Sequence, residues 1–515
     1  MSVRLARMTR LMGRLLPGVC AGALACATTT PHSSSTTPQQ APVPEVAVSS
    51  APGASAPAVP ASPVAVAVPP VSVEAEAREL LDAMLRVDTS HGEETRLLTP
   101  IADRLRQAGV NVQVLESAKG RGNLIARVPG RGEKKPLLLL AHVDVVPVEG
   151  QPWTSPPFTP VDKDGFLTAR GVGDDKGMAA AATAIVLELA RTKTSLARDV
   201  ILALTAGEET GGDAGVRFLV EKHRELLDAE LVLNEGGSLQ LGSDLRGLEA
   251  VLVSVGEKTF QSYRLTAKSP GGHSSAPPPP DKDPVLHLAR ALTAIGEYRF
   301  PVRLLPEVRG VLGLQAKYEK PPLSEAMAHV AATGQVSRKD EAALAADKIY
   351  NAFLRTTCVT TMLSAAPQDN VLPTSAEAVI NCRILPGETP DTTLAALQAR
   401  VADPTLTLTL TLTKDGDKAL RESSPIAGEV LSAVQGVSAK LWPGVPVLPL
   451  LTLGATDSRH LRSSATFAYG ISVTPTSLDE SRKGHGAHGP DERRPKAFLD
   501  AGVQFMRELT LALAR

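Results

Sequence analysis

Residues 136–144, PLLLLAHVD, constrain the fold of this chain more than any other stretch. The apolar run followed by His-x-Asp predicts a buried strand that ends in an imidazole and a carboxylate. Side chains two apart on a strand point to the same side, so His142 and Asp144 are expected to share a face. A metal-binding His and the carboxylate that orients it require this arrangement. Taken alone, the triplet is more simply explained as a strand end with a solvated His.

Three further acidic clusters favour the metal site over the solvated His, because each cluster follows a strand-like segment. These clusters are Asp174 with Asp175, Glu208 with Glu209, and Glu235, and a late His488 follows them. Helical stretches lie between the segments, which predicts an open α/β sheet whose carboxyl edge forms a site. Asp174 directly precedes a long predicted helix, so by itself it is more simply explained as an N-cap.

These residues have the composition of a metal site. Mixed His and carboxylate ligands suit Zn²⁺, Co²⁺ or Mn²⁺ better than Ca²⁺. Two His, one Asp and two further acids are too many for one tetrahedral ion, whereas a bridging Asp174 would give each of two ions three protein ligands. Paired ions about 3.5–4 Å apart stabilise the attacking and the leaving oxygen in hydrolysis. His485 competes with His488 as a ligand by position.

A second type of pattern occupies residues 258–415. Alternating strands such as FQSYRLTAK and EAVINCRIL, with two helical stretches, predict an α+β domain inserted into the first domain. Residues 323–355 within it are predicted to be helical. The first pattern resumes afterwards, so the first domain is predicted to comprise residues 73–257 and 416–515.

The N-terminal residues differ in character from the rest. Residues 1–26 combine four Arg with a short apolar run, which is typical of a signal peptide, and Ala23-Leu24-Ala25 before Cys26 is similar to a bacterial lipoprotein processing site. We therefore expect export to the periplasm or outer membrane of a bacterium, with a membrane tether through a lipidated Cys26. A plain exported protein and a frayed cytoplasmic N-terminus are the alternatives. Residues 27–72 are rich in Pro, Ala and Ser and predict a disordered tether.

Composition narrows the class of protein further. A formal net charge of -1 over 515 residues gives no support for nucleic acid as a partner. Only 3% of the residues are aromatic, which argues against a stacking platform for bases. Cys358 and Cys382 lie in apolar strand-like stretches and are expected to be buried thiols, with a single bridge as the option in an oxidising compartment.

From residue 73 onward the chain resembles a known family, the dinuclear zinc exopeptidases and deacylases. These include glutamate carboxypeptidase, aminoacylase, succinyl-diaminopimelate desuccinylase, carnosinase and carboxypeptidase S. The resemblance rests on AHVDVVP, RGVGDDKG, AGEETGG, NEGG, GGHSSAP, NVLPTSAEAVINCR, GATDSRH and GAHGPDE, which occur in the family's order. The long span between the two His and the stretch within 323–355 favour the carboxypeptidase S-like branch, which also contains N-acyl amino acid hydrolases. The implied fold is a doubly wound α/β mixed-sheet catalytic domain with an inserted ferredoxin-like α+β domain that acts as a lid or dimerisation domain.

The resemblance also implies a role for each candidate at the metal centre. His142 and Glu235 would bind one ion, Glu209 and His488 the other, and Asp174 would bridge them through a loop with a cis peptide bond to Asp175. The expected cofactors are two Zn²⁺, with Co²⁺ or Mn²⁺ as options. Asp144 would orient His142, and Glu208 would be the general base.

Six positions are implied to contact the substrate or to shape its pocket. His273 would donate to the scissile carbonyl oxygen, in dimeric relatives from the partner subunit, so a homodimer through the inserted domain is expected. Asn370 and Arg383 would bind the substrate, the guanidinium pairing with a free α-carboxylate. Gly454 and Thr456, with Asp457, would shape the pocket.

The implied function is hydrolysis of an amide or peptide bond next to a free carboxylate, with a small peptide or an N-acyl amino acid as substrate. An exported dipeptidase or deacetylase of the same family is one alternative. A non-catalytic cell-surface binding protein is another, and Glu208 argues against it, because such a protein has no use for a base beside intact ligands.

Overall fold

The structure is a computed structural model, and it describes residues 72–401, 408–412 and 422–515. The predicted leader, the tether up to residue 71, and Cys26 lie outside the described residues. The predicted boundary at 415/416 also lies outside them.

The described part of the chain folds into nineteen strands and fourteen helices. The strands are β1 (Asn111–Glu116), β2 (Gly122–Val128), β3 (Leu137–His142), β4 (Val161–Lys163), β5 (Phe166–Thr168), β6 (Val200–Thr205), β7 (Leu231–Asn234), β8 (Ser238–Leu241), β9 (Leu248–Glu257), β10 (Thr259–Lys268), β11 (Gly272–His273), β12 (Thr357–Ser364), β13 (Val371–Leu372), β14 (Ser375–Ile384), β15 (Leu408–Leu412), β16 (Val447–Thr452), β17 (Phe467–Gly470), β18 (Thr476–Ser477) and β19 (Arg493–Pro495). The helices are α1 (Val73–Leu85), α2 (Glu94–Gln107), α3 (Lys176–Thr192), α4 (Val216–Lys222), α5 (Pro284–Glu297), α6 (Pro306–Gln315), α7 (Leu323–Thr333), α8 (Arg338–Ala345), α9 (Lys348–Leu354), α10 (Pro390–Val401), α11 (Glu429–Leu441), α12 (Ser458–Leu461), α13 (Leu478–Arg482) and α14 (Leu499–Ala514).

A mixed sheet of ten strands forms the centre of the first domain. Its order is β1-β2-β6-β3-β7-β17-β9-β8-β18, with β16 beside β9. The four adjacent strands β6, β3, β7 and β17 run parallel to one another, so their carboxyl ends meet at one edge.

Apolar residues cover both faces of this sheet, which explains the uninterrupted apolar run in β3. Leu137 and Leu139 pack into the cluster that contains α1, α3 and α14. Leu138 and Leu140 point the other way, into the cluster built with α4 and α12. The expectation of a doubly wound mixed sheet is therefore confirmed.

A small sheet of order β19-β5-β4 lies apart from the main sheet. The segment that leads to Asp174 was expected to be one of the site-forming strands, but β5 belongs to this small sheet. It pairs antiparallel with β19, which follows His488. The small sheet thus connects the two loops that carry Asp174 and His488.

The inserted domain has the ferredoxin-like arrangement. Its chain order is β10, α5, β12, β14, α10, β15, and its sheet order is β12-β14-β10-β15 with every neighbour antiparallel. One face of β14 is buried, and its residues pack with Leu288 of α5 and Leu397 of α10. The change from the main sheet to this one occurs between Glu257 and Thr259.

Four helices, α6 to α9, interrupt the inserted domain between α5 and β12. Three of them lie in the stretch predicted to be helical. Leu312 and Met327 pack with Leu451 of the main sheet and with Leu385, which follows β14. The helices therefore contact both domains.

Cys358 and Cys382 form a disulfide, so the expectation of buried thiols is wrong. The two residues are direct partners on the adjacent antiparallel strands β12 and β14, with a Cα–Cα distance of 4.1 Å. The pair was not recognisable from sequence spacing, because strand register brings together residues that are 24 positions apart.

We expect removal of this disulfide by a Cys358→Ala, Cys382→Ala double substitution to lower the free energy of unfolding by about 3 kcal/mol, the chain-entropy cost of a loop of this length. Chemical denaturation of both forms under non-reducing conditions measures the difference. Reductant should destabilise the parent protein and leave the variant unchanged. Equal stability of the two oxidised forms would contradict the prediction.

Candidate metal centre

Three parallel strands of the main sheet end at the candidate site. β3 ends at His142, β6 is followed by the 3-10 turn Glu208–Thr210, and β7 is followed directly by Glu235. The carboxyl edge of the sheet therefore supplies an imidazole and three carboxylates, as the sequence pattern predicts.

Asp174 lies between the two imidazoles. Its Oδ1 is 3.0 Å from Nε2 of His142, and its Oδ2 is 3.1 Å from Nε2 of His488. Nε2 of His488 is also 3.1 Å from Oε1 of Glu209, and Nε2 of His142 is 3.9 Å from Oε1 of Glu235. The five residues meet around one carboxylate.

The loops that bring Asp174 and His488 here have unusual backbone geometry. The peptide bond from Asp174 to Asp175 is cis, and His488 has a φ of 66°. Asp175 occupies the N-cap position of α3, but its side chain makes no capping hydrogen bond, and Asp174 faces the imidazoles.

Asp144 has a second contact that the sequence pattern did not indicate. Nδ1 of His142 hydrogen-bonds to the main-chain carbonyl of Asp144 at 3.0 Å, and Oδ1 of Asp144 lies 3.5 Å from the same nitrogen. Its two carboxylate oxygens also accept the main-chain N–H groups of Glu208 and Glu209, each at 3.1 Å. One carboxylate therefore fixes the turn that presents both Glu side chains. Residue types do not show which backbone N–H groups of a turn a side chain will bind, so the sequence alone could not predict this contact.

The electrostatics of the cluster favour bound cations. Burial raises the pKa of Glu208 to about 8, with His142 acting against the shift. Burial and the charge of Asp174 raise the pKa of Glu235 well above its usual range. Hydrogen bonds to Asp174 and Glu209 raise the pKa of His488 to about 10. Carboxylates crowded in a low dielectric hold protons unless positive charge is supplied nearby.

The side chains present fit a pair of divalent metal ions. The ligand atoms of His142, Asp174 and Glu235 lie within 4.8 Å of one another, and so do those of Asp174, Glu209 and His488. Asp174 belongs to both groups, and each group offers one nitrogen and two carboxylates, a donor set that suits Zn²⁺. His488 is part of the second group, whereas His485 is in neither of these two groups of described residues.

A protein-family comparison decides the family. The model for "Peptidase family M20/M25/M40" matches residues 138–512. The chain belongs to this family. It is a metal-dependent hydrolase of the metallopeptidase and amidohydrolase type, as the sequence motifs predict.

Named relatives cover most of the chain. The N-fatty-acyl-amino acid synthase/hydrolase PM20D1 of Xenopus tropicalis is 28% identical over 379 residues, 73% of this chain and 72% of that protein. A protein named probable carboxypeptidase S-like 2, from Dictyostelium discoideum, is 28% identical over 63% of this chain and 62% of its own length. The predicted nearness to the carboxypeptidase S-like branch is confirmed.

The fold is that of solved M20 structures. The dinuclear metal-binding M20 peptidase YXEP of Bacillus subtilis has a TM-score of 0.54 and 16% identity, covering 85% of this chain and 98% of its own. At this identity the similarity concerns the fold.

The structure groups the candidate substrate residues of the inserted domain apart from the metal ligands. His273 pairs with Val371 in the β11–β13 ladder, and the carbonyl of Asn370 accepts the N–H of Ser274, so His273 and Asn370 are neighbours. Both are exposed, and no hydrogen bond or ion pair among the described residues joins them to the metal ligands. The guanidinium of Arg383 lies over the ring of Phe260, 5.0 Å from its centroid.

The candidate pocket residues of the catalytic domain differ in exposure. Gly454 is exposed, whereas Thr456 is buried and accepts hydrogen bonds from Asn234 and from the N–H of Ser458. The N–H of Thr456 donates to Glu257 at 2.7 Å. Thr456 thus holds the loop, and its hydroxyl already has protein partners.

Two buried acids near this site, Glu257 and Asp457, make contacts that the sequence analysis did not predict. Glu257 binds both the N–H of Thr456 and the guanidinium of Arg462. The sequence did contain a signal for Glu257, because this residue ends a strand, as other acids of the site do. Asp457 was assigned only to the pocket, yet its Oδ2 accepts the hydroxyl of Thr205 at the end of β6.

Proposed function

We propose that this M20 protein hydrolyses the amide bond of N-acyl amino acids, releasing an amino acid with a free carboxylate, with two Zn²⁺ ions as cofactors. The observation that carries the proposal is the placement of Asp174, whose two oxygens face the Nε2 atoms of His142 and His488 at 3.0 and 3.1 Å. A carboxylate in this position could be shared by two ions, held by His142 and Glu235 on one side and by Glu209 and His488 on the other, and two-ion sites are suited to hydrolysis.

When bound, the two ions would polarise the scissile carbonyl and lower the pKa of water. Glu208 then acts as the general base: its buried carboxylate takes a proton from the attacking water and returns it to the leaving nitrogen. Asp144 holds Glu208 in place through the backbone. His273, Asn370 and Arg383 bind the carbonyl oxygen and the carboxylate of the substrate from the inserted domain.

The preference for N-acyl amino acids over dipeptides rests on the relatives. The N-fatty-acyl-amino acid synthase/hydrolase matches 73% of this chain. Carboxypeptidase substrates release the same product, an amino acid with a free carboxylate, and are the second substrate class to assay.

A direct test compares N-acyl amino acids of increasing acyl length with dipeptides, using protein freed of metal and reloaded with Zn²⁺, Co²⁺ or Mn²⁺. We expect turnover only in reloaded protein, with about two ions bound per chain, and with the highest kcat/KM for an N-acyl amino acid. A higher kcat/KM for dipeptides would reject the substrate assignment. Turnover by metal-free protein would reject the mechanism.

We further propose that the chain forms a homodimer through the inserted domain. β12 is an edge strand of that domain, and its Val359, Met362 and Leu363 side chains are 61%, 66% and 68% exposed. An uncovered apolar edge strand favours association, so a second copy covering β12 would bury these side chains.

Met362→Lys should therefore convert a dimer into a monomer, because a charge would be buried at the contact. Analytical ultracentrifugation of the purified protein measures this. Ile349→Lys is the matched control, since Ile349 is 45% exposed on α9, outside the edge strand, and this variant should remain dimeric. A monomeric parent protein would reject the proposal.

Export with lipidation of Cys26 is a further proposal, supported by the leader-like residues 1–26. The Cys358–Cys382 disulfide agrees with it, because disulfides persist mainly in oxidising compartments. No helix among residues 72–515 that the structure describes is long and apolar enough to cross a membrane. Cell fractionation should find the parent protein in the membrane and Cys26→Ser outside it, and a cytoplasmic parent protein would reject export.

A further inference from the structure

The loops carrying Asp174 and His488 start from adjacent strands of the small sheet. Thr168, the last residue of β5, pairs with Arg493, the first residue of β19. The Asp174 loop therefore leaves the sheet at the point where the His488 loop enters it. Only a few residues separate each ligand from this shared anchor.

A buried carboxylate fills the space between the two loops. Glu492 is fully buried, and its Oε2 accepts from Nη1 of Arg170 at 2.9 Å and from the N–H of Gly171 at 3.0 Å. Its Oε1 accepts from the N–H of Gly173 at 2.8 Å. Glu492 thus binds the Asp174 loop up to the residue before Asp174.

The same guanidinium extends the contact to His488. Nη2 of Arg170 donates to Oε1 of Gln151 at 2.7 Å and to the carbonyl of His488 at 3.4 Å. Nε2 of Gln151 donates to that carbonyl at 3.1 Å. The network connects the backbone of one metal-ligand loop with the backbone of the other.

Close packing adds a second constraint on the Asp174 loop. A Cβ at Gly173 would overlap the guanidinium of Arg494, so the loop lies directly against β19. Arg170 is also buried, and a buried ion pair contributes little net stability because both charges lose their hydration. The Arg170–Glu492 pair therefore matters mainly because it determines the geometry of the two loops.

We infer that Glu492, Arg170 and Gln151 are positioning residues that set the separation of Asp174 and His488, and thereby the affinity of the metal position that these two residues share with Glu209. The other position depends less on the network, because His142 and Glu235 follow strands of the main sheet. The inference rests on the metal centre of the proposed function, and it names residues outside the ligand set.

The test measures the number and affinity of bound ions rather than the rate of turnover. Equilibrium dialysis against Zn²⁺ is performed with the parent protein, Glu492→Gln, Gln151→Ala and an Arg170→Met, Glu492→Gln double variant, with thermal unfolding recorded for each. Glu429→Gln is the control: Arg198 is buried and its Nη2 is 2.9 Å from both oxygens of Glu429. Arg198 precedes β6 and Glu429 begins α11, so this pair lies at the opposite end of β6 from the candidate metal ligands.

We expect the parent protein and Glu429→Gln to bind two ions tightly, and Glu492→Gln to bind one tightly and the other about 10- to 100-fold more weakly, the usual effect of losing a residue that orients a ligand. Gln151→Ala should show a smaller loss at the same position. The double variant should recover thermal stability relative to Glu492→Gln, because no buried charge is left unpaired, but it should not recover the second ion.

Tight binding of two ions by folded Glu492→Gln would overturn the inference. Recovery of the second ion in the double variant would also overturn it, because the Arg170–Glu492 pair would then serve only to neutralise buried charge. If Glu492→Gln does not fold, Gln151→Ala decides: unchanged affinity for both ions overturns the inference and a weaker second ion supports it. A parent protein that binds fewer than two ions would instead reject the metal centre of the proposed function.

Discussion

Glu208→Gln is expected to lower kcat on the order of 10²- to 10⁴-fold while leaving both metal ions bound. The substitution keeps the size of the side chain but removes the carboxylate that accepts a proton. Glu208 belongs to neither ligand group, so the ligand atoms of the two metal positions remain unchanged. The N–H of residue 208 still donates to Asp144, so the turn should keep its conformation. Steady-state kinetics together with metal analysis of the same sample measure both effects.

Glu221→Gln provides a matched control for that experiment. Glu221 is an exposed Glu on α4 that pairs with Arg217, so its change should leave both kcat and metal content at the parent level. Two results would contradict the assignment of Glu208. Full turnover in Glu208→Gln would mean that another group is the base. Loss of an ion would mean that Glu208 supports the ligands.

The main sheet and its part of the site were accessible from sequence because His142, Glu209 and Glu235 lie at or after the ends of apolar strands. His142 and Glu235 directly end or follow buried parallel strands, and the carboxyl ends of such strands meet at one edge whatever the lengths of the connections. The topology of the sheet is therefore enough to predict that these residues lie close together. The wide separation of these residues in the sequence therefore does not argue against a shared site.

Asp174 and His488 were harder to place because neither follows a strand of the main sheet. Their contact depends on the pairing of β5 with β19, two strands of three residues each. Such short strands have little apolar pattern to indicate a partner. The resemblance of the motifs suggested the ligand roles, and the small sheet supplies the physical reason that the two loops meet.

The contacts of the inserted domain were the least accessible. The position of His273 relative to the metal ligands depends on how the two domains are arranged, which no local pattern encodes. The disulfide was only the alternative to buried thiols for a related reason, since the register of β12 on β14 decides that Cys358 faces Cys382. Residue types predicted the elements of this domain, and tertiary register determined their contacts.

Asp174→Ala should remove both metal ions, whereas His488→Ala should remove only one. Asp174 is the single residue present in both ligand groups, and each of its oxygens faces a different imidazole. Without it, each position keeps one imidazole and one carboxylate, too few for tight binding. His488→Ala leaves His142, Asp174 and Glu235 intact, so one position survives. Metal analysis after dialysis should give about zero, one and two ions for Asp174→Ala, His488→Ala and the parent protein.

The comparison separates a shared carboxylate from two independent sites. If Asp174 served only one ion, both variants would retain one ion. Turnover should fall more than a hundred-fold in each variant, because the loss of a ligand exceeds the roughly 10- to 100-fold effect of losing an orienting partner. Circular dichroism shows whether the fold is kept, which matters most for Asp174→Ala. Removing this carboxylate also removes one negative charge from a cluster in which burial already raises the pKa of Glu235, so we expect the metal-free variant to remain folded.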